Sequence, residues 1–352
     1  MSGPNEEVER PVGPGSDELV GIEATLTDVP LLDIKGLVKE FPGSGRRGLL
    51  TRRTAPVQAV SGVDLVVGQG QTHGLVGESG CGKSTVARTV LRLEKPTAGE
   101  ARFLGHDLFT MNRSELRRAR RDIQIVFQDP FASLNPRMTV RSIIEEPFVV
   151  HGVLSASDRK ARVDELLRRV GLSPEHANRY PHQFSGGQRQ RVGIARALAL
   201  EPKLIIADEP VSALDVSIQA QVVSLLEDIQ DELGVGYLFI AHDLAVVRHI
   251  SHHVSVMYLG RIVETGTRDE VYGNPTHPYT VALLSAVPEP DPVRERTRQR
   301  IMLQGDLPSP SDPPSGCRFR TRCWKAEEIC STEVPDLTDR GGGHPVACHF
   351  PE

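Results

Sequence analysis

Between Leu31 and Phe41, and again from Val57 to Leu75, apolar residues alternate with polar ones and are interrupted by Gly and Asp, the pattern of strands joined by turns. Three later runs, Ile123 to Phe127, Leu204 to Ala207 and Tyr237 to Ala241, are apolar almost throughout and bounded by polar residues or Gly. Such runs suit strands buried on both faces, and the helical patterns between them predict a mostly parallel sheet. Residues 130–185 hold helical patterns such as RVDELLRRVGL and no convincing strand, which predicts a helical subdomain. Residues 1–28, rich in Gly, Pro and Glu without an apolar period, are predicted to be a disordered tail. The stretch GSGRRGLLTRRTAP at 43–56 carries Arg46, Arg47, Arg52 and Arg53; it reads as a solvated insertion, or as a contact with a partner or membrane surface. The division expected is therefore a tail at 1–28, an α/β unit at 29–288, and a small Cys-bearing region at 289–352. No internal repeat is visible.

Composition narrows the class only modestly. A chain of 352 residues with 39% hydrophobic and 25% charged residues is ordinary globular sequence. A net charge of −5 argues against a nucleic-acid partner, since such proteins carry a basic excess. No stretch approaches eighteen apolar residues and the acidic N-terminus lacks an apolar secretory segment, so a cytoplasmic protein is expected. Five cysteines are too few for a disulfide scaffold.

The first chemistry appears after Thr72 to Val76. Gly77-Glu78-Ser79-Gly80-Cys81-Gly82-Lys83-Ser84, followed by Thr85, fits G-x-x-x-x-G-K-S between an expected strand and an expected helix. Glycines let backbone N–H groups turn inward around phosphate oxygens, and the helix N-terminus adds positive potential. Lys83 would contact the β- and γ-phosphates and the Ser84 hydroxyl would ligate Mg²⁺. Cys81 occupies a free position of the loop, as filler or as a thiol activated by the helix N-terminus. Leu204 to Ala207 ends in Asp208-Glu209. A rigid strand end can hold Asp208 on Mg²⁺ and Glu209 on the attacking water as general base, although in isolation two acids there are common surface residues.

Ser185-Gly186-Gly187-Gln188 precedes a helical pattern, GQRQRVGIARALAL, and makes a second anion-binding terminus. One chain with one phosphate loop has little use for both on a single nucleotide; two copies arranged head to tail do. With these motifs in order, together with Gln128 and His242 at strand ends and Ser212-Ala213-Leu214-Asp215, the sequence resembles the ATP-binding-cassette family. The resemblance implies a P-loop NTPase cassette of class α/β, with a mostly parallel sheet core, an antiparallel β subdomain and a helical subdomain, at 29–288. It implies that Ser185 to Gln188 caps a nucleotide held by another cassette, that Gln128 senses Mg²⁺ and the attacking water, that Asp215 communicates across the dimer, and that His242 contacts the γ-phosphate. Phe41 is the match to the family's adenine-stacking aromatic, although the arginine-bearing loop breaks the usual spacing.

Phe127-Gln128-Asp129-Pro130-Phe131-Ala132-Ser133-Leu134-Asn135-Pro136-Arg137-Met138 and His277-Pro278-Tyr279-Thr280 are similar to the oligopeptide and dipeptide importer ATPases. That branch implies two transmembrane permease subunits, a second ATPase, homologous or identical, an external substrate-binding protein, and residence at the cytoplasmic face of the membrane. The cargo implied is peptide, with nickel or glutathione as the alternatives. A soluble cassette acting on nucleic acid is the rival from another class; it typically carries two cassettes or a coiled coil, and neither is seen here. A metal-sensing regulator dominated by the cysteines is a second rival, disfavoured by the complete ATPase motifs.

Cys317, Cys323, Cys330 and Cys348 are separated by five, six and seventeen residues. These gaps miss the tighter pairs usual for zinc. The resemblance implies a four-iron four-sulfur cluster; zinc and metal-free buried thiols stay open. His344 and His349 are substitutes as ligands, but weaker ones.

Overall fold

The computed structural model describes residues 29–43, 55–129, 131–288 and 300–352. The expected tail at 1–28, and Arg46, Arg47, Arg52 and Arg53, lie outside the described residues, as does Pro130.

Two sheets frame the molecule. β1 (Leu32–Phe41), β2 (Val57–Val67), β4 (Ala98–Phe103) and β5 (His106–Asp107) form an antiparallel sheet in the order β2-β1-β4-β5. The second sheet has eight strands. Its centre is parallel: β9 (His253–Tyr258), β3 (Thr72–Val76), β8 (Gly236–Ala241), β7 (Leu204–Asp208) and β6 (Ile123–Val126), adjacent in that order. All residues of β3, β7 and β8 are buried, which is why 204–207 and 237–241 read as apolar runs rather than alternations, while β3 buries the polar Thr72 and His73 as well.

Helices cover the parallel strands. α1 (Lys83–Val90) follows β3, α2 (Arg113–Asp122) precedes β6, and α6 (Val216–Leu233) and α7 (Leu244–Ile250) flank β8. The helical stretch comprises α3 (Val140–His151), α4 (Ala156–Arg169) and α5 (Gly186–Leu198). α3 and α4 begin at Thr139 and Ser155, whose hydroxyls accept a backbone N–H of the first turn. Phe148, Leu166, Leu167, Val192 and Ile194 share one buried core, so the helical packing continues past residue 185 into α5.

The C-terminal region departs from expectation. Sequence predicts a small Cys-rich region at 289–352; its described residues, 300–352, join the cassette sheet rather than forming a distinct module. β10 (Arg261–Thr267) pairs antiparallel with β9, and β12 (Pro345–Val346) pairs with β10 and with β11 (Thr338–Asp339), extending the same sheet. Phe319, 1% exposed, packs edge-on against Tyr258 and tilted against Tyr279, with ring centroids 5.2 and 5.4 Å away. A segment with so little regular structure cannot bury a core of its own, so it borrows that of the ATPase sheet. Short α8 (Arg268–Gly273), α9 (Pro278–Ser285) and α10 (Ile329–Thr332) complete the fold.

Candidate nucleotide site

β3 ends at Val76 and the chain turns through Gly77 to Gly82 into α1, as the motif requires. Gly82 has φ +113°, and a Cβ there would meet the Ala59 carbonyl oxygen at 2.1 Å, so no larger residue fits this turn. The loop borders a cavity of about 210 Å³ lined by Ser79, Gly80, Cys81, Gly82, Lys83, Ser84 and Thr85 together with Gln128 and Glu209. Residues from distant parts of the chain thus meet at one phosphate-sized space.

Lys83 is 3% exposed; its Nζ donates to the carbonyls of Gly77 at 2.7 Å and Glu78 at 2.9 Å. The carbonyls hold the ammonium in place at the loop. Ser84 Oγ donates to Asp208 Oδ1 at 2.7 Å. Burial pushes the Asp208 carboxyl up from its usual range, opposed by that hydrogen bond, and a cation beside it would lower it again. A hydroxyl and a carboxylate at this spacing are the donor set Mg²⁺ takes in phosphoryl transfer, and these two residues fit the ion.

Glu209 follows Asp208 in a left-handed backbone conformation, φ 48°, unusual for a side chain with a Cβ. Its N–H is anchored to the Ile240 carbonyl of β8 at 2.9 Å. This turn carries the carboxylate off the strand end to the cavity, where three groups meet it: Gln128 Nε2 donates at 2.8 Å, His242 Nδ1 lies 3.3 Å away and Lys83 Nζ 4.0 Å away. Gln128, Glu209 and His242 are brought together from the ends of β6, β7 and β8. A strained acid held against a glutamine, a histidine and a lysine is arranged to act on one water beside a phosphate.

Cys81 is 1% exposed, and burial raises its pKa against the pull of Lys83 Nζ at 3.8 Å. Of the two sequence options for this position, burial favours the small filler over a thiol activated by the helix N-terminus.

Ser185 to Gln188 lie elsewhere and line no part of the phosphate cavity. Ser185 and Gln188 form a capping box at α5, each side chain engaging the other's backbone N–H, at 3.0 and 3.3 Å. The N–H groups of Gly186 and Gly187 are left without an acceptor among the described residues. A Cβ on Gly187 would meet Ile218 Cγ2 at 2.5 Å, so glycine lets this turn lie on α6. Asp215, at the start of α6, is exposed and makes no side-chain cap, leaving its carboxylate uncommitted. Phe41 ends β1 opposite Val57, which lines the cavity rim, and Lys39 Nζ sits 4.4 Å above the Phe41 ring. Phe41 itself does not line the cavity.

Sequence reasoning missed Gln58, Gly260 and Pro310, which also line the cavity. The Gln58 N–H donates to the Pro310 carbonyl at 2.9 Å, so the C-terminal region reaches the nucleotide site, and no local pattern announces it. Tyr279 was marked only as part of a motif; its hydroxyl accepts the Glu78 N–H at 2.9 Å.

The four tail cysteines are electrostatic neighbours: burial, and then their mutual proximity, raises the Cys348 thiol to about 11, and burial also raises Cys317 and Cys323. The Cys317 N–H donates to the Cys330 carbonyl at 2.8 Å. Yet among the described residues no group of three or more His, Cys, Asp or Glu is arranged to hold a metal ion. His344 and His349 are engaged elsewhere, on Glu264 and on the Glu333 carbonyl.

Fold and site together define a P-loop ATPase of the cassette type. The ABC transporter family matches residues 60–212, and the family "Oligopeptide/dipeptide transporter, C-terminal region" matches 263–330. The chain is 55% identical over 321 residues to the oligopeptide transport ATP-binding protein AppF of Bacillus subtilis, covering 91% of this chain and 97% of that one. Identity to OppF of Salmonella typhimurium, an oligopeptide transport ATP-binding protein, is 56% over 319 residues, covering 90% and 95%. Among solved structures, the dimeric bacterial ABC transporter cassette MJ0796 superposes with TM-score 0.59 at 30% identity, covering 67% of this chain and 98% of that one. The chain belongs to the ATP-binding subunits of the oligopeptide/dipeptide ABC transporter family, and it is an ATP-hydrolysing subunit that works in a cassette dimer. No helix among its described residues is long and apolar enough to cross a membrane.

Proposed function

We propose that this chain powers peptide import from the cytoplasmic face of a membrane. Two cassettes close over ATP, and their hydrolysis resets two permease subunits that receive cargo from an external binding protein. The observation that carries the dimeric half of this reading is the split of the site. Lys83, Gln128 and Glu209 line one phosphate cavity, with Asp208 held on Ser84 and His242 beside Glu209, while Gly186 and Gly187 present N–H groups without an acceptor among the described residues away from it. A second cassette, head to tail, brings such a terminus to the γ-phosphate.

In this reading the loop from Gly77 to Thr85 holds the phosphates, and Ser84, Asp208 and Gln128 surround Mg²⁺, which supplies charge neutralisation when bound. Glu209 takes the proton of the attacking water, Gln128 and His242 orient that water and the γ-phosphate, and Lys83 stabilises the charge that develops. Phe41 stacks on the adenine at the cavity rim, and Asp215 reads the state of the neighbouring cassette. On the helical subdomain, Phe131, Val149 and Val150 are exposed apolar side chains suited to the permease contact. Peptide as cargo rests on the relatives, which are oligopeptide transport ATP-binding proteins.

The chain divides at 1–28, 29–288 and 289–352, with residues 300–352 packed against the cassette. An iron–sulfur cluster on Cys317, Cys323, Cys330 and Cys348 is supported by the closeness of the thiols and opposed by the lack of a formed ligand set. A colourless, iron-free protein purified without oxygen removes that reading.

The test is isolation of the intact membrane complex and its reconstitution in vesicles. ATP-dependent uptake of peptide that disappears in Glu209→Gln supports the proposal. A complex with no permease, or one bound to nucleic acid, overturns it.

A further inference from the structure

We propose that Arg322, from the cysteine-bearing tail, is a positioning residue of the ATP site, holding and neutralising the one acidic side chain of the phosphate loop. Arg322 Nη1 and Nη2 donate to the two carboxylate oxygens of Glu78 at 2.7 and 3.1 Å, a bidentate pair joining residues 244 positions apart. The Arg322 side chain is 9% exposed and the Glu78 side chain 27%, so the pair is shielded from solvent more than an ordinary surface bridge. The guanidinium also lies near the Tyr258 ring, its carbon 5.9 Å from the centroid.

Glu78 is held from every side. Its N–H donates to Tyr279 Oη at 2.9 Å, its carbonyl accepts Lys83 Nζ at 2.9 Å, and its carboxylate is taken by Arg322. Two of these three contacts come from the C-terminal part of the chain. The same segment buries Arg318, which donates to the Leu259 carbonyl and, at 2.6 Å, to Gln58 Oε1, both on residues lining the phosphate cavity.

The electrostatic logic is simple. Glu78 does not itself line the cavity, but it adjoins Ser79, which does, and an unpaired carboxylate that close to a triphosphate of several negative charges repels it through space. Paired with Arg322 it presents no net charge and keeps the loop's first turn fixed.

This inference rests on the assignment of Gly77 to Ser84 as the nucleotide site, and the experiment separates the two. ATP dissociation constants are measured on the full-length chain by competition against a fluorescent ATP analogue. The variants are Arg322→Ala, Arg322→Lys, Glu78→Gln and the double variant Arg322→Ala/Glu78→Gln. The result expected is a charge ladder. Arg322→Ala weakens ATP on the order of tenfold, Arg322→Lys less, and Glu78→Gln binds at least as tightly as wild type. The double variant returns to within about threefold of wild type, because the unpaired carboxylate is gone. In Arg322→Ala and Arg322→Lys, KM for ATP follows the same ladder, with kcat at saturating ATP changed by less than about twofold. A contact that merely holds the fold gives a double variant as weak as Arg322→Ala, and that result, or an unchanged constant in Arg322→Ala, overturns the proposal. Should Arg322→Ala fail to fold, the Arg322→Lys and Glu78→Gln chains decide it by the same signs. Wild-type protein that binds no ATP refutes the site assignment instead.

Discussion

Replacing Glu264 by alanine removes the shared acceptor for four donors buried where the C-terminal segment joins the sheet. Its carboxylate, 0% exposed, takes the Thr276 N–H at 2.6 Å, Thr276 Oγ1 at 2.9 Å, the His277 N–H at 3.1 Å and His344 Nε2 at 2.7 Å. His344 Nδ1 has no partner, in keeping with a proton on Nε2. Each stranded buried donor costs about 1–3 kcal/mol, and the costs overlap because the groups relax together. Loss of one partner from a buried charged cluster costs about 3–5 kcal/mol, the value expected for Glu264→Ala. Glu264→Gln keeps an oxygen where three donors converge and turns an NH₂ toward the His277 N–H, one mismatch costing about 1–3 kcal/mol. Urea unfolding of both variants against wild type gives the two differences. Hydrogen exchange at Val346 and Ala347 should rise, because β12 hangs on β10 beside Glu264. An alanine variant within about 1 kcal/mol of wild type, or a glutamine variant as damaged as alanine, refutes the reasoning.

Three further outcomes follow from the same geometry. Lys83→Ala should lower ATP turnover by on the order of 10²-fold, measured by phosphate release, since it removes the ammonium 4.0 Å from Glu209 at the phosphate cavity. Cys81 should resist iodoacetamide in the folded chain and react after unfolding, read by mass spectrometry; fast native labelling contradicts its burial. His73 and His277 are each lowered to about 4 by burial, from an ordinary 6.5, so the unfolded chain takes up protons first on acidification. Their contribution is complete above about pH 6.5 and is lost as pH falls toward 4, on the order of 2 kcal/mol each at pH 5. Urea midpoints at pH 8 and pH 5 should show this fall, and His73→Gln should show less of it.

The parts of the site that sequence made legible are those in which chemistry and local structure share a few residues. Gly77 to Ser84 lies on one strand–turn–helix, and Asp208 and Glu209 end one apolar strand, so their meeting needs only a parallel sheet. The Glu78–Arg322 pair and the Glu264–His344 contact join residues 244 and 80 positions apart, and periodicity carries no information across such distances. The C-terminal region misled for a related reason. β12 is two residues long, too short to show an alternation, so its place on β10 is set by the buried carboxylate at Glu264 rather than by any strand pattern. Burial also bears on Cys81, where the motif's position left filler and activated thiol open and the packing around it favours the filler.

The central claim is that Ser185 to Gln188 serves a nucleotide held by a neighbouring cassette. The mass in solution of purified Glu209→Gln chain, with and without ATP, tests it most directly. Light scattering should show the mass doubling when ATP is added and the doubling should vanish when Lys83 is also replaced by alanine. A Glu209→Gln chain that binds ATP yet stays monomeric, even beside its natural ATPase partner, contradicts the claim.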